Sequence, residues 1–147
     1  MNVLPHALVA TEVARLRAGR PVRLPFFLSR VPAGWPSPAD DYVERRLDLN
    51  ELLVRRPEST YFVRVEGESM IEAGIYAGDV LVVDRAEEAR PGDVVVAALD
   101  GELTVKRLER HEGRLYLVAE NGAYPPIEVR TELTIWGVVR HVVRTIR

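Results

Sequence analysis

The run Val94-Val95-Val96-Ala97-Ala98-Leu99-Asp100-Gly101-Glu102-Leu103-Thr104-Val105-Lys106-Arg107-Leu108 places an Asp-Gly pair between two apolar, β-branched segments. A tight hairpin turn needs residues that tolerate positive φ at its centre, and Asp-Gly is a pair that supplies it. The strand ending at Leu99 and the strand holding Lys106 are therefore expected to be antiparallel neighbours. The same pattern recurs on both sides. Segments from Tyr61 to Glu66, Val80 to Asp84, Leu115 to Ala119 and Ile135 to Val143 are rich in β-branched and aromatic residues, with Gly, Pro, Asp and Asn between them. Turn signals at this spacing predict a mainly β domain.

N-terminal to the sheet segments, Asp48 and Glu51 have capping-box spacing before Leu52, Leu53 and Val54, and Pro57 stops the run. One short helix is expected there. Residues 1–40 carry Pro5, Pro21, Pro25, Pro32, Pro36 and Pro38, too dense for continuous helix or sheet, and read as an extended, mobile arm. Within it Leu8, Val9, Val13 and Leu16 share one helical face closed by Gly19 and Pro21, which predicts a transient helix at most. The division expected is an arm over 1–40 and a β-rich domain over 41–147.

Composition bounds the function. The 147 residues, 47% of them hydrophobic, suffice for one domain with a core and a tail. A net charge of -2 gives no global field toward nucleic acid, and the prolines leave no room for a helix-turn-helix before the first strand. The chain has no cysteine, which removes disulfides, thiolate metal sites and thiol catalysis and fits a cytoplasmic protein. No apolar run reaches the roughly 18 to 20 residues of a membrane span. No metal or cofactor is expected, and His6, His111 and His141 form neither a ligand cluster nor a triad context.

Of the twenty basic residues, nineteen are arginine and one, Lys106, is lysine. Arginine cannot act as a proton acceptor, whereas a buried lysine can be made neutral. From the count alone, chance survival in an arginine-biased chain is the simpler explanation; position argues otherwise. Leu103, Val105 and Leu108 surround Lys106 in an apolar strand, where an ammonium is poorly solvated. Lowering a lysine pKa from about 10.4 to near neutrality costs about 4 kcal/mol, which burial can supply. Alternation puts Lys106 on one strand face with Thr104 and Leu108, and leaves open which face is inside.

Ser69, in Gly67-Glu68-Ser69-Met70, follows an expected strand on a tight turn. Serines in such turns usually bond their own backbone, so Ser69 alone is a weak signal. Paired with Lys106 it becomes a candidate nucleophile, since serine with lysine can replace the serine triad. Backbone N–H groups of Glu68 and Ser69 are candidates for the oxyanion.

Together these motifs resemble the LexA/UmuD family of self-cleaving serine–lysine peptidases, on the side of its SOS-mutagenesis members. The resemblance runs through Leu24-Pro25-Phe26-Phe27, Ala33-Gly34-Trp35-Pro36-Ser37-Pro38, Asp41-Tyr42-Val43-Glu44 and Leu47-Asp48-Leu49-Asn50-Glu51-Leu52-Leu53. It continues through Gly67-Glu68-Ser69-Met70, Gly78-Asp79-Val80-Leu81-Val82-Val83-Asp84, Gly92-Asp93-Val94-Val95, the Asp100–Lys106 segment and Trp136-Gly137-Val138-Val139. It implies a compact, strongly curved antiparallel or mixed sheet of the LexA/signal-peptidase-like type, with Ser69 as nucleophile and Lys106 as base. It also implies Ala33-Gly34 as the scissile bond. Small residues there let the backbone lie close in a groove, and Val31, Pro32, Trp35 and Pro36 favour an extended form.

The partners it implies are a second copy in a homodimer, a RecA filament on single-stranded DNA that stimulates the cut, and a UmuC-like Y-family polymerase that takes the product. No direct sequence-specific DNA binding and no membrane are expected. Residues before Leu24 match the family poorly. A LexA-like repressor relative, a non-catalytic interaction module and a signal-peptidase-like enzyme are the alternative readings.

Overall fold

A computed structural model describes residues 8–15, 23–27, 43–99, 101–129 and 134–146. Their strands are β1 (Val9–Arg15), β2 (Arg23–Phe27), β3 (Val43–Asp48), β4 (Thr60–Glu66), β5 (Val80–Asp84), β6 (Val94–Leu99), β7 (Glu102–His111), β8 (Arg114–Val118), β9 (Ile127–Glu128) and β10 (Thr134–Val143). One helix, α1 (Leu49–Leu53), follows β3. The described residues are mainly β. Two compact units divide the chain: the described residues of Met1–Leu16 and Arg56–Arg147 make one, and those of Arg17–Arg55 the other.

The smaller unit holds the antiparallel hairpin of β2 with β3, from Arg23 opposite Asp48 to Phe27 opposite Val43. Pro25 lies inside β2 without disrupting it, because in a two-stranded sheet each strand keeps an edge that needs no N–H donor. Asp48 caps α1 by accepting the Asn50 N–H at 3.1 Å, a bond one residue short of the capping-box position.

The larger unit is one antiparallel sheet in the order β1-β4-β5-β10-β6-β7-β8-β9. An additional pairing of Val9 with Thr104 joins β1 to β7, so the ring β1-β4-β5-β10-β6-β7 closes on itself. Closure removes the open edges of β4 and of the first half of β7. The hairpin read from Asp100-Gly101 is present, with Val94 to Leu99 opposite Arg107 to Glu102.

The helical reading of Leu8 to Leu16 is corrected. Residues 9–15 form β1, antiparallel to β4 from Val9 opposite Glu66 to Arg15 opposite Tyr61. A helix this short cannot stand alone, and the free β4 edge offers its backbone a full set of partners. Strands β1 and β2 both lie within the span read as an arm.

Both faces of the central strands are buried. Leu8, Val63, Val65, Met70, Ile75, Leu81, Val83, Val96 and Val105 form one apolar cluster, and Val95, Ala97, Leu108, Leu117 and Val138 another. The alternation on β6 and β7 therefore serves two cores, and the question of which β7 face is inside is answered by both. Gly137 lets β10 pass β5 closely: a Cβ there would lie 2.6 Å from Val83 Cγ1 and 3.2 Å from the Asp84 carbonyl.

Two buried carboxylates pin the loops. Asp84 accepts from Ser59 Oγ at 2.7 Å, from the Ala86 N–H at 2.9 Å and from Arg56 at 2.6 Å. Asp79, 1% exposed, takes a two-pronged contact from Arg144 and the Tyr76 N–H at 2.8 Å. The Arg144 guanidinium holds the Asp79 carboxyl below the ordinary range, against the opposing effect of burial. Because that pKa is depressed, the stabilisation is present above the ordinary carboxylate range and is lost as pH falls through the folded-state value. We expect Arg144→Ala to lower the urea midpoint at neutral pH, partial exposure of the guanidinium keeping the effect small. The gap between variant and wild type should narrow on acidification; a gap independent of pH would contradict the assignment.

Candidate active site

Ser69 sits on the turn between β4 and a 3-10 turn at Ile71–Ala73. Gly67 makes the turn possible, with φ of 119°, a region that side chains disfavour. Three contacts then fix the loop. The Glu68 carbonyl accepts from the Ile71 N–H and from Asn121 Nδ2 at 3.0 Å. The Glu120 N–H points at Met70 Sδ at 3.3 Å, and the Glu72 N–H donates to the Glu120 carbonyl at 2.9 Å. Ser69 itself is 0% exposed, and its Oγ accepts the Leu8 N–H at 2.8 Å.

Lys106 is 4% exposed, opposite Val95 on β6. Burial lowers its pKa below the ordinary lysine value. Its Nζ lies 5.1 Å from the centroid of the Tyr124 ring, and among the described residues it makes no ion pair or hydrogen bond. An amine held this way loses its hydration without a counter-charge among the described residues, which is the physical cause of the lowered pKa. Tyr124 Oη is itself buried and has no hydrogen-bond partner among the described residues.

Two chains of contacts link the serine turn to the lysine strand. Leu8 donates to Ser69 Oγ, and its carbonyl accepts the Val105 N–H at 3.1 Å, one residue from Lys106. On the other side the Tyr124 N–H donates to the Asn121 carbonyl at 3.2 Å, and Asn121 reaches back to Glu68. Leu8, Asn121 and Tyr124 carried no signal in the sequence, because each lies far along the chain from Ser69 and belongs to no short motif. Ala33 and Gly34 lie outside the described residues, as does His6. His111 is exposed and pairs with Glu109 at 2.8 Å. Among the described residues, no three His, Asp or Glu side chains gather as a metal site would require, and no helix is long and apolar enough to cross a membrane.

Comparison with known proteins gives the class, that of the serine peptidases. Residues 25–140 match the Peptidase S24-like family, and the chain is a member of that family, in its LexA/UmuD group. It is 52% identical to protein SamA of Salmonella typhimurium over 115 residues, 78% of this chain and 81% of SamA. To protein MucA of Escherichia coli it is 45% identical over 127 residues, 84% and 86% of the two chains. The LexA repressor of Bordetella petrii is 44% identical over 121 residues, 80% of this chain and 53% of the repressor.

The backbone requirement at Gly67 is testable. Gly67→Ala should destabilise the fold by about 1–3 kcal/mol, read from urea unfolding. No loss of stability would mean that the turn adopts another conformation.

Proposed function

We propose that the chain is a self-cleaving protein of the SOS response that cuts its own Ala33–Gly34 bond. The observation that carries this reading is the burial of the chain's single lysine with no counter-charge among the described residues. Neutral Lys106 Nζ takes the proton from Ser69 Oγ as the oxygen attacks the Ala33 carbonyl carbon. The oxyanion that forms is held by the N–H groups of Glu68 and Ser69. As the C–N bond breaks, the Lys106 ammonium returns the proton to the Gly34 nitrogen, leaving residue 33 esterified to Ser69. Water, deprotonated by Lys106, then releases the Ala33 carboxylate and restores both side chains. Carrying the substrate on the same chain, or on the partner in a homodimer, gives a high effective concentration and lets a slow catalyst suffice.

In this reading a RecA filament on single-stranded DNA stimulates the cut, and residues 34–147 serve a UmuC-like Y-family polymerase in the cytoplasm. Sequence-specific duplex binding at physiological salt is not part of this reading.

Intact-mass measurement after incubation with RecA, an ATP analogue and single-stranded DNA should give fragments ending at Ala33 and starting at Gly34. Ser69→Ala and Lys106→Ala should give none. Lys106→Arg should also give none, because it keeps the charge and stem but cannot accept a proton. Cutting by any of these variants would defeat the dyad. Without RecA, the spontaneous rate should climb with pH and level off below the pH at which an ordinary lysine becomes neutral; a flat profile from neutral to alkaline pH would count against the base.

A further inference from the structure

The hydrogen bond from Leu8 to Ser69 Oγ has a geometric consequence for the reaction just described. A carbonyl carbon under attack must come within about 3–3.5 Å of the nucleophilic oxygen. That space already holds the Leu8 backbone: its N–H lies 2.8 Å from Oγ, its carbonyl takes the Val105 N–H, and Val9 pairs with Thr104. Ser69 is fully buried and the Leu8 side chain is fully buried in the first apolar cluster. Beside β4 and the first half of β7, then, runs a slot that accepts an extended backbone and one apolar side chain, the recognition mode of strand addition to a sheet edge.

We propose that β1 is a competing occupant of this slot, and that Leu8–Val9 must vacate it before the scissile segment Val31–Trp35 can reach Ser69. The inference rests on the self-cleavage reading and gives the poorly matched N-terminal residues a role. The strand suits an exchangeable part. Its core anchorage is confined to one end, where Leu8 is buried and half-buried Ala10 packs beside it, whereas Thr11, Glu12, Val13, Ala14 and Arg15 are exposed. A bulge between Ala10 and Glu12 interrupts its register with β4. Its docking is also substrate-like, since backbone bonds hold it on both sides while an apolar side chain fills the core. No bond in β1 itself is cut there, because what Leu8 presents to Oγ is an N–H rather than a carbonyl carbon. The docked state thus holds the nucleophile in place and idle, and the rate of cutting follows the fraction of molecules in which β1 has left.

The absence of native cysteine permits a reversible clamp. Glu12 and Arg64 face each other across β1 and β4, both exposed, with Arg64 Nε 3.3 Å from Glu12 Oε2. Directly opposed strand residues have Cα separations of about 4.5–5.5 Å, within the range a disulfide spans. In the full chain carrying Glu12→Cys and Arg64→Cys, the oxidised form should cut at alkaline pH at least about tenfold more slowly than the reduced form. Reduction of the same sample should restore the rate, which separates clamping from misfolding. Equal rates in the two states, or faster cutting when oxidised, would overturn the proposal.

A second arm does not depend on cutting. In the full-length Lys106→Ala chain, a large molar excess of a peptide spanning residues 24–40 should raise deuterium uptake across residues 8–15, and unchanged uptake would overturn the proposal. If wild type and every variant failed to cut, the self-cleavage reading would fall, and the exchange result would still decide whether the two segments compete.

Discussion

Keeping one ammonium-bearing side chain out of water, without an opposite charge beside it among the described residues, is the constraint around which this domain is arranged. An ordinary buried lysine would be paired or excluded, because the charged form loses its hydration. Here β7 is covered on both faces, Val105 facing one apolar cluster and Leu108 the other. The Tyr124 ring closes over Nζ. Burial lowers the Lys106 pKa below the ordinary lysine value, and the proposed base is the one lysine among the chain's twenty lysine and arginine residues. In the proposed mechanism the stability lost by burying Lys106 and the basicity it needs at neutral pH come from one effect.

The same packing explains why the serine turn is held from several directions. Ser69 follows a glycine with a φ of 119° and is bracketed by bonds from Asn121 to Glu68 and between Glu120 and both Met70 and Glu72. These contacts come from the loop after β8, which also supplies Tyr124 to the lysine. One loop thus positions material at both ends of the candidate dyad. Moving it would disturb nucleophile and base together, so its anchoring to β7 through β8 is part of the site's rigidity.

Much of the sheet was legible in the sequence. Strands β5 and β6 have the expected limits, and β4, β7, β8 and β10 differ from the expected segments only at their ends. In these strands β-branched runs, turn residues and burial on two faces all agree. The reading failed at β1, where a single buried residue, Leu8, gives no alternation and the spacing of Leu8, Val9, Val13 and Leu16 imitates a helical face. It also missed β2 and β3, whose proline and alternating charges obscure the strand pattern, and β9, only two residues long. At the candidate site, Ser69 and Lys106 could be proposed because a turn motif and a lone lysine mark them. Leu8, Asn121 and Tyr124 could not, since only tertiary folding brings them there.

The single lysine makes the central claim open to direct measurement. In the Ser69→Ala chain, which lacks the proposed nucleophile, selective isotope labelling of lysine would give one side-chain resonance, that of Lys106, whose pH titration reports its pKa in the folded protein. The account predicts a midpoint well below the ordinary lysine value of 10.5, moving back toward that value when the chain is unfolded in urea. A midpoint at or above 10.5 in the folded chain would mean that Lys106 stays charged, and the neutral-base mechanism would be contradicted.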